Sequence, residues 1–345
     1  MFGEKMNCTN LFISTFFMMI LLSPIHCFAS TVNFDSLPSA TAIVSSGNVT
    51  FGSNLTGNGL ITSNQFMTSS SPNSLGVDDP KYQVFLPGDS INLNFAKPIT
   101  GLIVYFVSTP VTPAGVLSID TPVGSSQNTD IPITTLSDGS EVYTVSFTSL
   151  TPFSTATLNS LEGEVYSFNV DDITLQYLLT ATIDGSGGGD INSLPAGINC
   201  PGVNCSSQYD EGTTVLLTQT PDVWSLFGGW TGLCEVLGGN CSVLVDNVKI
   251  VNATFNVASK VKVESDYYDK LQDAYDNKNT VDNAVIQLLN DSAVGAFTTT
   301  PKGINLTIKG AYDPMYKDPS GALSIINSPF NINSGSIRVN NVVVR

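Results

Sequence analysis

The sequence predicts an all-β protein in three parts, and three observations carry that reading. Short β-type runs separated by Gly, Pro, Ser and Asn clusters fill the first half. Among them Ile91-Asn92-Leu93-Asn94-Phe95 puts Ile91, Leu93 and Phe95 on one face, with no helical period competing. Charge changes in three steps: 12 acids against 2 bases over 30–179, 7 against 1 over 180–258, and 9 against 9 over 259–345. Beyond the first 29 residues the cysteines fall only in the middle step, at 200, 205, 234 and 241. A chain of 345 residues has length for two or three domains. The expected division is 1–29, 30–178, 179–258 and 259–345.

Residues 1–29 read as a secretory signal peptide: Lys5, the apolar run from Leu11 to Leu22, then Cys27-Phe28-Ala29 with small residues at the −3 and −1 positions. The run is short against the ~20 residues a membrane span needs, and no later run is longer, so no membrane span is expected. The expected product is exported, to the extracellular space, the cell surface or the periplasm. Cleavage removes His26, the single histidine. Without an imidazole the mature chain has no Ser-His-Asp or Cys-His nucleophile and no histidine for a catalytic zinc site. The net charge of −16 argues against a nucleic-acid partner, because polyphosphate binding needs clustered Lys and Arg.

In the first segment the runs Ile91–Phe95, Gly101–Val107, Val116–Ile119, Val142–Phe147 and Val165–Leu175 predict an antiparallel sandwich, of jelly-roll type. Phe34-Asp35 near its start and Val170-Asp171-Asp172-Ile173 near its end resemble the first and last strands of jelly-roll modules in secreted bacterial proteins and carbohydrate-binding modules. The resemblance implies that these strands are neighbours. Asp35, Asp171 and Asp172 would then converge as a structural calcium site, since hard cations take carboxylate oxygens. Plain alternation would instead turn one of Asp171 and Asp172 to each face. Asp78-Asp79-Pro80 reads as a turn. Glu162 and Glu164 share one face of a run, whereas glycosidase chemistry needs carboxyl groups facing each other about 5–9.5 Å apart.

The second segment contains Asp184-Gly185-Ser186-Gly187-Gly188-Gly189-Asp190, which by composition alone is a linker. With its surroundings it resembles a divergent bacterial repeat related to the internalin B repeats. The shared features are the Gly-rich turn, Pro195-Ala196-Gly197-Ile198-Asn199-Cys200, the strand Thr213–Thr220, Phe227-Gly228-Gly229-Trp230 and Ala253-Thr254-Phe255. The resemblance implies a small extracellular β module with a structural, adhesive or spacer role. Four cysteines allow three pairings. Of these, Cys200–Cys205 with Cys234–Cys241 closes two short loops and fits the resemblance. Zinc is the rival, against which stand the C-x4-C and C-x6-C spacings and the exported setting. Trp230 reads as core, while Trp224 and Tyr209 are candidate binding residues whose rings would stack on a sugar.

The third segment opens with an amphipathic pattern, Tyr267, Leu271, Ala274 and Tyr275, which predicts a helix from Asp266 with Ser265 or Asp266 as N-cap. Strands follow at Ala284–Leu289, Ile304–Lys309, Leu323–Ile326 and Ser336–Val344, spaced as rungs of a parallel β-helix, with asparagines at the corner of the last. Tyr268-x-x-Leu271-Gln272-x-Ala274-Tyr275 and Leu306-Thr307-Ile308-Lys309-Gly310-Ala311-Tyr312-Asp313 resemble the leading turns of a right-handed β-helix, capped by its helix. The last rung, with Ile337, Val339, Val342 and Val344, is expected to recruit a partner strand, which would make the chain self-associate. Together these readings predict a non-catalytic exported protein of binding or cell-surface architecture. Its expected partner is a polysaccharide or cell-surface glycan, and its only expected cofactor is structural calcium. The alternatives are a polysaccharide-acting hydrolase or lyase, with Lys302, Lys309 or Arg338 as a lyase base, and a self-associating spacer.

Overall fold

The computed structural model describes residues 31–345 apart from 56–57, 65–67, 69–71, 110–115, 129–130, 162–165, 301, 318 and 320–321. The expected signal peptide, and Glu162 with Glu164, lie outside the described residues. The described residues are almost wholly β, as expected, with one short helix among them.

Four strands organise the first part: β1 (Val49–Ser53), β2 (Ser90–Ser108), β3 (Glu141–Ser160) and β4 (Phe168–Asp184). The runs expected at Ile91–Phe95 and Gly101–Val107 are one strand, β2. Pro98 has no N–H to give, and it sits between Asn94 and Ile99, where the antiparallel ladder to β3 is interrupted. The resulting sandwich buries Phe34, Phe51, Phe85, Phe106 and Phe168, with Phe85 and Phe168 stacked at 5.3 Å. The leading strand Thr31–Val32 pairs with β4, Thr31 opposite Thr174 and Val32 opposite Ile173, so first and last strands are neighbours.

The second part adds β5 (Gly189–Leu194), β6 (Ser206–Asp210), β7 (Thr214–Pro221), β8 (Ser225–Gly232), β9 (Asn240–Leu244) and β10 (Lys249–Val257). β4 runs straight into it. The N-terminal half of β4 pairs with β2, from Phe168 opposite Ser108 to Gln176 opposite Gly101. Its C-terminal half pairs antiparallel with β6 and parallel with β10, up to Asp184 opposite Thr254. Ile173, Leu175, Tyr177, Leu179 and Ala181 are all buried along one face, so the alternation crosses the expected boundary at 178/179 unbroken. A single apolar core accordingly extends from Val32 to Phe255. A smaller sheet, β5–β7–β9 with short flanking strands, covers the other side of the module.

The glycine-rich stretch is a packed turn. The N–H of Gly187 donates to the Phe255 carbonyl at 2.9 Å and that of Gly188 to Ser225 Oγ at 3.0 Å. Gly185 has φ +99, and a Cβ on it would lie 2.0 Å from the Phe255 oxygen. Disulfides join Cys200 to Cys205 and Cys234 to Cys241, each closing a short loop at one edge of the module.

The third part comprises β11 (Val261–Val263), α1 (Leu271–Asp276), β12 (Ala284–Leu289), β13 (Asn305–Tyr312), β14 (Ser324–Ile326), β15 (Ser336–Asn340) and β16 (Val342–Val344). Three sets of parallel pairs stack here. β12, β13 and β15 align Ile286 with Ile308 and Ile308 with Val339; β14 aligns with β16, and Phe297–Thr298 with Phe330–Asn331. Asn341, at φ +55, turns the chain between β15 and β16, the left-handed position that asparagine tolerates best after glycine. The helix is shorter than expected. Asp266–Tyr268 folds back on β11 as a strand, through a turn in which Glu264 takes φ +54, so helical hydrogen bonding starts only at Leu271. Lys270 occupies the N-cap position without a side-chain bond, while Leu271, Ala274 and Tyr275 are buried as the pattern predicts.

Gly185→Ala should lower stability by about 2–4 kcal/mol, because both the backbone conformation and the Phe255 carbonyl oppose a methyl group. Gly239→Ala, at φ +88 with nothing within 4 Å, should cost only about 1 kcal/mol from conformation. Urea unfolding followed by tryptophan fluorescence measures both.

Candidate binding groove at the Trp224 seam

Trp224 lies between β7 and β8 and faces the third part. It is 38% exposed and takes φ +65, an uncommon conformation for a bulky residue. Two hydrogen bonds hold it there: its carbonyl accepts from the Ala258 N–H at 2.7 Å, and its Nε1–H donates to the Asn290 carbonyl at 3.1 Å. Beside it opens a groove of about 310 Å³ lined by Val257, Ala258, Leu289 and Ala293, with Lys260 and Asp291 also on its walls. The floor is well supported, since Ala258 and Leu289 pack with Tyr312 and Tyr316 in a buried cluster that Leu226 also joins.

Tyr209, the other expected stacking residue, is only 6% exposed. It lies on β6 opposite Tyr177, and its hydroxyl pairs with Ser193 Oγ at 2.8 Å. Its ring belongs to the core, so of the two expected rings only Trp224 offers a surface. Trp230 is 9% exposed, stacks edge-on against Phe227 at 5.5 Å, and donates Nε1–H to the Gly239 carbonyl at 2.9 Å.

The aspartates are arranged differently from simple alternation. The ladder between β4 and β2 shifts register between Val170 and Ile173, so Asp171 and Asp172 occupy a β-bulge. Asp171 is fully buried and Asp172 half-buried. Asp35 Oδ1 accepts from the Asn73 N–H at 3.2 Å. No group of three or more His, Cys, Asp or Glu side chains fit to hold a metal is found among the described residues. Asp79 Oδ1 accepts from the N–H groups of Tyr82 and Lys81, closing the turn; these bonds hold its carboxyl below the usual range. Lys302 donates to the carbonyls of Tyr275 and Asn277 at the end of α1.

A polar cluster that no sequence motif marks joins the first two parts. Glu211, 6% exposed, accepts from Asn48 Nδ2, 163 residues away in the turn before β1. Lys97 of β2 donates Nζ–H to the Asp246 carbonyl at 2.9 Å, and Asp246 forms an ion pair with Lys249 at 2.7 Å. The Tyr177 hydroxyl is buried there with no hydrogen-bond partner among the described residues; burial first, then the Glu211 and Asp246 charges, push it up to about 12. Burial raises the Glu211 carboxyl above its ordinary value and Asp246 adds to this, against the opposing pull of Asn48 and Lys97. No local motif announces this cluster, because its members come from distant turns.

No protein-family model matches the chain, and no curated protein matches it. Among solved structures it is similar to a bacterial adhesin from Mobiluncus mulieris containing intramolecular disulfide, isopeptide and ester bond cross-links. Identity is 10%, over 61% of this chain and 98% of that one, with a TM-score of 0.18. The described residues form a nearly all-β protein of several sheets with two disulfides. No helix among the described residues is long and apolar enough to cross a membrane.

Because the folded pKa of Glu211 lies above its unfolded value, the protonated form is favoured by folding. The contribution is full below the unfolded pKa and is lost as pH rises through the folded one. Glu211→Gln keeps a hydrogen-bonding side chain and removes the buried charge. It should raise the melting temperature at pH 7, and the difference from wild type should vanish toward pH 4. Thermal unfolding at both pH values checks this.

Proposed function

We propose that this is an exported, non-catalytic protein of the cell surface or extracellular space that binds a polysaccharide or surface glycan. The observation that carries the reading is β4, one strand hydrogen-bonded into both the sandwich and the disulfide-bonded module. A shared strand transmits load between units without a flexible joint, which suits a protein that holds a ligand away from its anchorage. The two disulfides suit an oxidising compartment. In this reading the second part is a divergent internalin-type repeat, and the stacked parallel pairs of the third are a short β-helix. Calcium bound at Asp35 with Asp171 or Asp172 stabilises the sandwich.

The test uses the signal-free chain immobilised on beads. Retention of polysaccharide-coated particles or bacterial cells, together with a melting temperature that rises in millimolar calcium over chelator, is the expected result. Beads that retain nothing would remove the binding role, and an unchanged melting temperature would remove the calcium.

A second reading, self-association, is favoured by β15, which pairs with β13 on one side and leaves Val339, like Val344 of β16, partly exposed. Light scattering of the same chain should then show concentration-dependent association weakened by Val342→Lys or Val344→Lys. A monomer at high concentration would discard it.

A further inference from the structure

From the groove beside Trp224 we infer a subsite for a neutral pyranose ring, stacked on the indole face and hydrogen-bonded through its hydroxyls to Lys260 and Asp291. The inference rests on the binding role proposed above and names the site and the ligand class.

Three features of the groove select this ligand. The indole has one polar atom, Nε1, and the Asn290 carbonyl already takes it. What Trp224 offers outward is therefore its π-face alone, whose negative potential favours the C–H-lined face of a sugar ring. The floor, Ala258 and Leu289, is apolar and fixed. Leu289 N–H donates to the Lys260 carbonyl at 2.9 Å, and the Leu289 carbonyl accepts from Ser292 Oγ at 2.6 Å, so the cavity does not depend on a ligand to stay open. Its volume, about 310 Å³, is at the low end for small-molecule pockets.

The rim decides between ligand classes. Lys260 offers only donors and Asp291 only acceptors, and the two form no ion pair with each other. A hydroxyl both donates and accepts, so a polyol satisfies both. A carboxylated or phosphorylated ligand would meet Lys260 well but oppose Asp291 and a chain of net charge −16. A purely apolar ligand would desolvate both charges without replacing their bonds. The backbone strain at Trp224 agrees with a presenting role, because non-glycine residues held at positive φ cluster at ligand clamps.

The rival account is that Trp224 only latches the second part to the third through its bond to Asn290. Calorimetric titration of the full signal-free chain with laminarin, galactomannan and, as acidic comparator, polygalacturonate separates the two. The expected result is binding of at least one neutral polymer and not of polygalacturonate. Trp224→Ala should weaken it roughly tenfold or more, about 1.4 kcal/mol. Trp224→Phe, which keeps a ring face but loses the Nε1 bond, should stay within about threefold of wild type, and Asp291→Asn should weaken binding with the melting temperature unchanged. If Trp224→Ala does not fold, the Phe and Asn variants decide. Loss of binding in Trp224→Phe, equal binding by wild type and Asp291→Asn, or a preference for polygalacturonate, would overturn the subsite. If the chain still retains cells or particles in that case, the broader binding role survives; if it retains none, that role fails as well.

Discussion

The ladder of hydrogen bonds along Phe168–Asp184 is the constraint on which the described residues between 31 and 258 depend. At roughly 3.3 Å per residue the strand is about 55 Å long, enough to traverse two stacked units. Its antiparallel bonds to β2 close the sandwich, and its parallel bonds to β10 open the disulfide-bonded module. Neither unit has a complete sheet without it. The alternation Ile173, Leu175, Tyr177, Leu179, Ala181 keeps one face in the core throughout, so the hydrophobic gain is continuous where a linker would interrupt it.

A strand shared in this way fixes where the remaining polar groups must go. The turn before β1 and the turns at Glu211 and Asp246 are pressed together at the junction, and their carboxylates, lysines and amide share a partly dehydrated space. Burial raises the Glu211 carboxyl while the Lys249 bond lowers that of Asp246. Two carboxylates of one cluster thus respond in opposite directions, for reasons of desolvation in one case and direct pairing in the other.

The third part has its own apolar core and meets the second through the Trp224 bond to Asn290 and the buried cluster of Leu226, Ala258, Leu289, Tyr312 and Tyr316. Because the Trp224 amide plane and ring are both held by hydrogen bonds, the seam keeps an open groove instead of closing on itself. Exposure of a large ring beside a groove lined in part by Lys260 and Asp291 distinguishes Trp224 from Trp230, whose ring packs against Phe227 and bonds the Gly239 carbonyl.

The all-β class, the three charge regimes and the longer apolar strands were legible in the sequence, because two-residue alternation and turn residues act locally. Ala284–Leu289 forms as read, and Asn341 turns the corner where the asparagines stand. The short loops between neighbouring cysteines were likewise local. The helix was half legible: the buried positions Leu271, Ala274 and Tyr275 are right, but a hairpin with β11 claims Asp266–Tyr268 first. The boundary expected at 178/179 falls inside β4, since charge and composition record the surface and not which strands pair. Whether Tyr209 or Trp224 faces solvent, which residues surround Glu211, and that Lys260 and Asp291 flank one groove were decided by tertiary structure. Each depends on segments tens to more than a hundred residues apart, and no local pattern of side chains encodes contacts made only when distant turns and sheets pack together.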